Sequence, residues 1–231
     1  MNYDLCIIGA LEEEVEKLIS MLQDSNCACV SGMKFYTGTI YGKKIAVAKC
    51  GVGKVFAAAC AEAMILKYSP RLLVNTGVGG ALDKRLDTCD IVFASKLCQH
   101  DMDTSPLGDP KGLISGINKI YFDADERAVE ILDKAATSIK VNHLIGTVAS
   151  GDKFVASSAD KDFIRSEFSA VACEMEGGAI AHVAYLNSTP VAVIRAISDR
   201  ADGDAGMDYP SFLPIASRTS TELTLALIKE Y

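Results

Sequence analysis

The segment LCIIGALEEEVEKLISMLQ (5–23) joins a short apolar run to a longer amphipathic one. Its first six residues are all apolar or glycine, which is typical of a strand buried on both faces. From Leu11 onward, apolar side chains recur at helical spacing, so that Leu11, Val15 and Leu18 share one face. The segment therefore predicts a strand followed at once by a helix.

The same alternation continues along the chain and predicts an α/β fold. The other apolar runs are KIAVAKC, LLVNTGV, DIVFAS, LIGTVAS, AVACEM and PVAVIRAIS, and the helical segments are FAAACAEAMILKY, ADERAVEILDKAATSI, ADKDFIRSEF, GGAIAHVAYL and PIASRTSTELTLALIKEY. FYTGTIYGKKIAVAKC adds a hairpin with its turn at YGKK. We expect one domain over residues 1–231, with three layers around a central mixed, mostly parallel sheet.

The composition limits the classes of function that the chain can have. It carries a net charge of -7 at pH 7 and has no Lys/Arg-rich run, which argues against a nucleic-acid partner. No run has the length of a membrane span, and the first residues are too acidic for a signal peptide. The eight cysteines lie mostly in apolar runs without zinc-binding spacing. We expect reduced, buried thiols, no metal site and a cytoplasmic location.

Two strand ends that carry glycines are candidates for a ligand crevice. They are CGVGK (50–54) and NTGVGG (75–80). Neither has the spacing of a Walker phosphate loop or of a dinucleotide fingerprint. We predict tight turns in which glycine adopts positive φ and brings the backbone close to a ligand.

Acidic residues at three predicted strand ends are the candidate functional groups. In the first helix Glu13 points away from the apolar stripe, whereas Glu14 lies beside it; acids in a first turn are also simply favoured by the helix dipole. Asp199 follows a buried strand, so it is either a proton donor with a raised pKa or a cap or ion-pair member beside Arg195 and Arg200.

Two further acids, Glu174 and Glu176, lie in the almost wholly apolar segment AVACEMEGGAIAHVAYL (170–186). Side chains alternate on a strand, so both would point to the same side. A helix beginning at Gly177 would hold Glu176 near its positive end and favour its ionised form. Buried carboxylates must be protonated, paired or hydrogen-bonded, so the pair either binds a ligand or forms structural salt bridges or caps.

An ordered set of motifs resembles the 5'-methylthioadenosine/S-adenosylhomocysteine nucleosidases of the purine nucleoside phosphorylase-like family. The motifs are IIGALEEEV, GVGKV, VNTG with GGAL, HDMD, ASGDKFV, CEMEGGAIAHV and VIRAISDRAD. The resemblance implies the family's fold and hydrolysis of the N-glycosidic bond of an adenosine derivative, without a metal or organic cofactor.

The resemblance also implies a role for each matching residue. Glu14 matches the acid that activates water, and Asp199 matches the general acid that shares a proton with adenine N7. The implied substrate-binding residues are Glu176 at the ribose 2'-hydroxyl, Met175 and Glu174 near the sugar, Phe154 stacked on the purine, Val155 with its backbone at the adenine edge, Phe212 near the 5' substituent, and Val78, where these nucleosidases commonly have serine. Such groups suit a bond whose cleavage places positive charge on ribose and negative charge on adenine.

Two other functions remain as alternatives. Related phosphorylases hold phosphate with an arginine and a serine where this chain has Asn75 and Val78, which favours hydrolysis over phosphorolysis. A non-enzymatic nucleoside-binding relative would lack the acids that are present here.

The long irregular segment CQHDMDTSPLGDPKGLISGINK (98–119) is a candidate lid or subunit contact. In the family, this region reaches the pocket of a neighbouring subunit. The resemblance therefore implies a homodimer, with the 98–118 loop near the neighbouring subunit's pocket. The aromatic residues that the family often places around HDMD are replaced here, which leaves the accepted 5' groups open.

Overall fold

The computed structural model of the chain describes residues 2–201 and 205–231. The described strands are β1 (Leu5–Gly9), β2 (Gln23–Val30), β3 (Met33–Ile40), β4 (Lys43–Lys49), β5 (Leu72–Ala81), β6 (Ile91–Gln99), β7 (Phe122–Asp123), β8 (His143–Ser150), β9 (Ala170–Glu174) and β10 (Val191–Asp199). The described α-helices are α1 (Glu12–Ser20), α2 (Lys54–Tyr68), α3 (Glu126–Ser138), α4 (Ser158–Phe168), α5 (Gly177–Leu186) and α6 (Ala205–Glu230).

All of these strands belong to one mixed sheet. Their order is β10-β6-β8-β9-β5-β1-β4-β3-β2, with β7 beside β6. Because β10 also pairs with β5, the strands β5, β10, β6, β8 and β9 form a closed ring, from which β1, β4, β3 and β2 extend.

The sheet contains both kinds of pairing. Parallel pairings join β1 to β4 and β5, β10 to β5, and β8 to β6 and β9. Antiparallel pairings join β3 to β2 and β4, β6 to β7 and β10, and β5 to β9. The predicted α/β fold with a mixed sheet is confirmed, although antiparallel pairings are as frequent as parallel ones.

Helices cover both faces of this sheet. On one face α6 packs beside α1 and α3, and on the other α2 packs against α5. Strand β1 is apolar throughout because both of its faces are buried. Leu5 and Ile7 join the hydrophobic core under α1, α3 and α6, whereas Cys6 and Ile8 join the core under α2 and α5. The three-layer arrangement is therefore the one that the sequence predicted.

The first helix is shorter than predicted, and a strand was missed. Helix α1 ends at Ser20, and β2 begins at Gln23. The sequence of β2, QDSNCACV, lacks apolar alternation because β2 is an edge strand whose side chains are mostly exposed. Cys27 and Cys29 on this strand are exposed, so the prediction of buried thiols is wrong for these two.

The hairpin prediction is confirmed. Strands β3 and β4 pair antiparallel, and the turn between them places Tyr41 at φ 54° and Gly42 at φ 75°.

No helix in the described part of the chain has both the length and the apolar character to cross a membrane.

Candidate active site

A cavity of about 510 Å³ opens where the carboxyl ends of several strands meet. Glu14 enters it from α1, Val78 from β5 and Asp199 from the end of β10. The other predicted site residues that line it are Phe154, Val155, Glu174, Met175 and Glu176. The fold thus brings together residues that are far apart in the sequence, in a space of small-molecule size.

Glu14 is held rigidly at the wall of the cavity. Its side chain accepts the amides of Ala10 at 2.6 Å and Leu11 at 3.0 Å through Oε2, and that of Val78 at 3.1 Å through Oε1. The residue is only 3% exposed. Burial raises the pKa of Glu14, while the Leu11 amide and the positive charge of Arg195 oppose the rise. A carboxylate with a raised pKa and a fixed orientation is suited to accept a proton near neutral pH.

The two glycine motifs differ from each other in structure. CGVGK forms the predicted turn, with φ of 97° at Gly51 and 103° at Gly53. NTGVGG is not a turn but part of the strand β5, so that prediction was wrong. Its glycines leave room for acids: a Cβ would lie 2.6 Å from Glu14 Oε1 if placed at Gly77, and 2.9 Å from Asp199 Oδ1 if placed at Gly80.

Glu174 is the centre of a buried ion-pair network. Its carboxylate pairs with the guanidinium of Arg195, which also donates to Asn75 Oδ1. It accepts the hydroxyl of Ser150 and the amides of Glu176 at 2.9 Å and Gly177 at 2.7 Å. Although burial raises the pKa of Glu174, Arg195 and these donors hold it below its ordinary value. Glu174 therefore fits the structural alternative for this residue.

Glu176 differs from Glu174 because no cation pairs with it in the described chain. Strand β9 ends at Glu174, so strand alternation does not reach Glu176, which instead precedes the predicted helix α5. Its Oε1 accepts the amide of Gly53 at 2.8 Å. Burial, followed by the negative charge of Glu174, raises the pKa of Glu176 to about 7. Burial and the charge of Glu174 therefore outweigh the groups that favour the ionised form of Glu176.

Asp199 lies at the end of β10 and is 3% exposed. Its Oδ2 accepts the hydroxyl of Ser198 at 2.9 Å, and its Oδ1 accepts the amide of Ala201 at 2.9 Å. Of the two neighbouring arginines, Arg195 pairs with Glu174 and Arg200 pairs with Asp87 on the surface. Both guanidinium groups thus have other carboxylates as partners.

One aromatic residue that lines the cavity, Tyr209, was not predicted from the sequence. Phe154 is 45% exposed and meets Tyr209 edge to face, with 5.7 Å between the ring centroids. Tyr209 lines the cavity, and burial together with nearby carboxylates raises its pKa to about 12. The predicted Phe212 is half-buried about one helical turn further along α6, and the described lining of the cavity does not include it.

Within residues 2–201 and 205–231, no group of three or more His, Cys, Asp or Glu side chains could hold a metal ion. The cavity instead presents Glu14, Glu176 and Asp199 beside apolar and aromatic side chains. This combination can exchange protons with an uncharged planar ligand and stabilise positive charge that develops on it.

Known proteins resemble this chain along almost its whole length. The 5'-methylthioadenosine/S-adenosylhomocysteine nucleosidase of Lysinibacillus sphaericus is 33% identical over 226 residues, which cover 97% of this chain and 98% of that protein. The crystal structure of the Neisseria meningitidis enzyme of that name, in complex with methylthio-immucillin-A, matches with a TM-score of 0.96 at 31% identity, over 99% of this chain and 100% of that one. Futalosine hydrolase of Helicobacter pylori matches with a TM-score of 0.95 at 33% identity, over 99% and 98% of the two chains.

The resemblance that the motifs indicated is thus confirmed over almost the full length. A family model described as the phosphorylase superfamily matches residues 4–229. The chain belongs to the phosphorylase superfamily.

Proposed function

We propose that this chain is an adenosine-derivative nucleosidase, which hydrolyses the N-glycosidic bond of 5'-methylthioadenosine and S-adenosylhomocysteine, and of 5'-deoxyadenosine. The products are free adenine and the 5-substituted ribose. The names of its relatives support the substrate class. The observation that carries the proposal is the convergence of Glu14, Glu176 and Asp199 on one cavity.

Each acid has a role that suits its surroundings. Asp199 donates a proton to N7 of adenine. As the bond between C1' and N9 breaks, its electron pair moves to the base, and this proton neutralises the resulting negative charge. Glu176, in its ionised form, accepts the ribose 2'-hydroxyl and stabilises positive charge on the sugar. Glu14 takes a proton from water as the water oxygen bonds to C1'.

The remaining predicted residues hold the two halves of the substrate. Phe154 stacks on the purine, and the backbone of Val155 meets its edge. Met175 packs against the sugar, while Glu174 keeps Glu176 in place through its hydrogen bond to the Glu176 amide.

Hydrolysis is favoured over phosphorolysis by the groups near Glu14. The side chain of Asn75 is occupied, because it donates to the carbonyl of Ile8 at 2.9 Å and accepts from Arg195. The only hydrogen-bond donor of Val78 is its backbone amide, which already donates to Glu14 Oε1. The ammonium of Lys153, which also lines the cavity, pairs with Asp160 at 2.7 Å. A phosphate ion would therefore have few donors to bind.

The direct test is incubation of the protein with methylthioadenosine in phosphate-free buffer, followed by an assay for free adenine. Adenine release without phosphate supports hydrolysis. Release that requires phosphate would identify a phosphorylase, and binding without release would identify a nucleoside-binding protein. Competition among methylthioadenosine, S-adenosylhomocysteine, 5'-deoxyadenosine and a futalosine-type nucleoside then ranks the 5' groups, since futalosine hydrolase is also a structural relative.

The proposal includes a homodimer in which the 98–118 loop lies near the neighbouring subunit's pocket. Exposed apolar side chains on α2, on α5 and in this loop support it: Val55 is 80% exposed, Leu66 70%, Leu186 60% and Leu107 83%. Light scattering that gives the mass of a monomer at working concentration would contradict this. The eight cysteines are free thiols, five of them buried, which fits the reducing cytoplasm as the compartment.

A further inference from the structure

We infer that Asp101 and Asp152 are positioning residues, which hold the turn at Gly53 and Lys54 so that the Gly53 amide reaches the carboxylate of Glu176. The inference rests on the proposed role of Glu176 at the substrate sugar. In the described chain, neither aspartate lines the cavity. Both would therefore act on the reaction through the turn.

Two consecutive amides of this turn donate to carboxylates from different parts of the chain. The Gly53 amide donates to Glu176 Oε1 at 2.8 Å, and the Lys54 amide donates to Asp152 Oδ1 at 2.7 Å. Lys54 is the first residue of α2, so Asp152 acts as a cap for that helix from the loop after β8. The turn is thus fixed from both sides.

Asp101 closes a ring around the same turn. Its Oδ1 accepts the Lys54 ammonium at 2.5 Å, and its Oδ2 accepts the Asp152 amide at 2.8 Å. The side chains of Lys54 and Asp101 are 18% and 30% exposed, so the pair is partly shielded from water. Burial acts to raise the pKa of Asp101, but the Lys54 ammonium and the Asp152 amide bring it below its ordinary value. Asp101 therefore ties the 98–118 loop to the active site.

The Gly53 amide matters because it favours the ionised form of Glu176. Burial and the charge of Glu174 oppose ionisation, and the Gly53 hydrogen bond counteracts them. The other charged or titratable groups that face Glu176 are Arg195 on β10, which favours ionisation, Glu14 on α1, which opposes it, Cys50 after β4 and Tyr209 on α6. A displaced Gly53 amide would thus make Glu176 harder to ionise.

The chain provides a matched control for the test. Asp152→Ala and Asp101→Ala each remove one side of the ring. Asp103→Ala removes a carboxylate from the same segment as Asp101, but this carboxylate accepts the amide of Ser105 at 2.8 Å and faces Lys111 at 3.9 Å. Asp152→Asn keeps a carbonyl acceptor for the Lys54 amide, so we expect it to behave much like the unaltered protein.

Two measurements report on Glu176. One is the acid limb of the pH profile of kcat/KM with methylthioadenosine. The other is the titration of the Glu176 carboxyl carbon by ¹³C NMR, which requires no turnover. The signal of this carbon is assigned by its disappearance in Glu176→Gln. In Asp101→Ala and Asp152→Ala we expect both to move upward by about 0.5 to 1 pH unit, which lowers kcat/KM about three- to tenfold on the acid side.

The outcomes separate this inference from the proposed function. Upward shifts in the two alanine variants, with Asp103→Ala unchanged, support the positioning role. An unchanged titration of Glu176 in both variants, or an equal shift in Asp103→Ala, would overturn it. If the unaltered protein releases no adenine, the proposed function fails, while the NMR titration still decides the positioning role. If the alanine variants do not fold, Asp101→Asn replaces them, because it removes the negative charge beside Lys54 and one of the two acceptor oxygens, and the same upward shift is expected.

Discussion

Replacing Glu176 by glutamine should stabilise the protein at alkaline pH while it reduces turnover. In the folded protein the pKa of Glu176 rises from its ordinary value of 4.5 to about 7. A raised pKa means that the folded state holds this proton more tightly than the unfolded chain does. The free energy of unfolding therefore falls as pH rises from about 4.5 to about 7, and stays low above that range.

The size of the effect follows from the pKa difference. At about 1.4 kcal/mol per pH unit, ionised Glu176 costs the folded state about 3 kcal/mol above pH 7. Glutamine removes this cost and can still accept the Gly53 amide. We expect Glu176→Gln to gain about 3 kcal/mol at pH 8 and little at pH 4, where the acid is protonated in both states.

Urea unfolding of the two proteins at pH 4 and pH 8 measures this difference directly. Thermal unfolding at pH 8 should show a melting temperature about 6–12 °C higher in the variant, as expected for a chain of this size. Lower stability of the variant at pH 8, or the same difference at both pH values, would refute the assignment of Glu176 as a buried acid without a cation partner.

The other predictions separate catalysis from structure. Glu174→Gln breaks the buried pair with Arg195 and should lower the free energy of unfolding by about 3–5 kcal/mol. Asp87→Asn breaks the exposed pair with Arg200 and should lower it by less than about 1 kcal/mol. Equal losses in urea unfolding would contradict the structural role of Glu174. Asp199→Asn and Glu14→Gln should each lower kcat by about 10²- to 10⁴-fold, because each removes a proton-transfer group, and a near-normal rate in an adenine-release assay would count against that role. Gly77→Ala places a methyl group 2.6 Å from Glu14 Oε1 and should reduce kcat more than tenfold with a stability loss of about 1–3 kcal/mol; unchanged kinetics would show that Glu14 can move without consequence.

Local patterns were sufficient to predict the main elements of the fold. The apolar run before Leu11 and the helical spacing after it predicted β1 and α1, because β1 is buried on both faces and α1 on one. The same helical geometry separated buried Glu14 from exposed Glu13. Strand β2 was not predicted because an edge strand needs no apolar alternation, and its hydrogen bonds to β3 cannot be inferred from its own sequence.

Long-range pairing was the part that the sequence could not supply. Glu174 and Glu176 lie in the same apolar segment, and the folded position of Arg195 makes Glu174 an ion-pair member and leaves Glu176 without a cation partner in the described chain. The glycines of NTGVGG were assigned to a turn because turns and close approaches use the same residue type. Tyr209 lay outside every motif, and its contact with Phe154 depends on how α6 packs.

A crystal structure of the protein with a non-hydrolysable analogue of methylthioadenosine tests the proposed roles of the three acids most directly. We expect Asp199 within hydrogen-bond distance of the position of N7, Glu176 at the 2'-hydroxyl, and Glu14 facing C1' with a water molecule between them. A ligand bound elsewhere, or any of these three carboxylates beyond hydrogen-bond or one-water reach of the sugar and base, would contradict these roles.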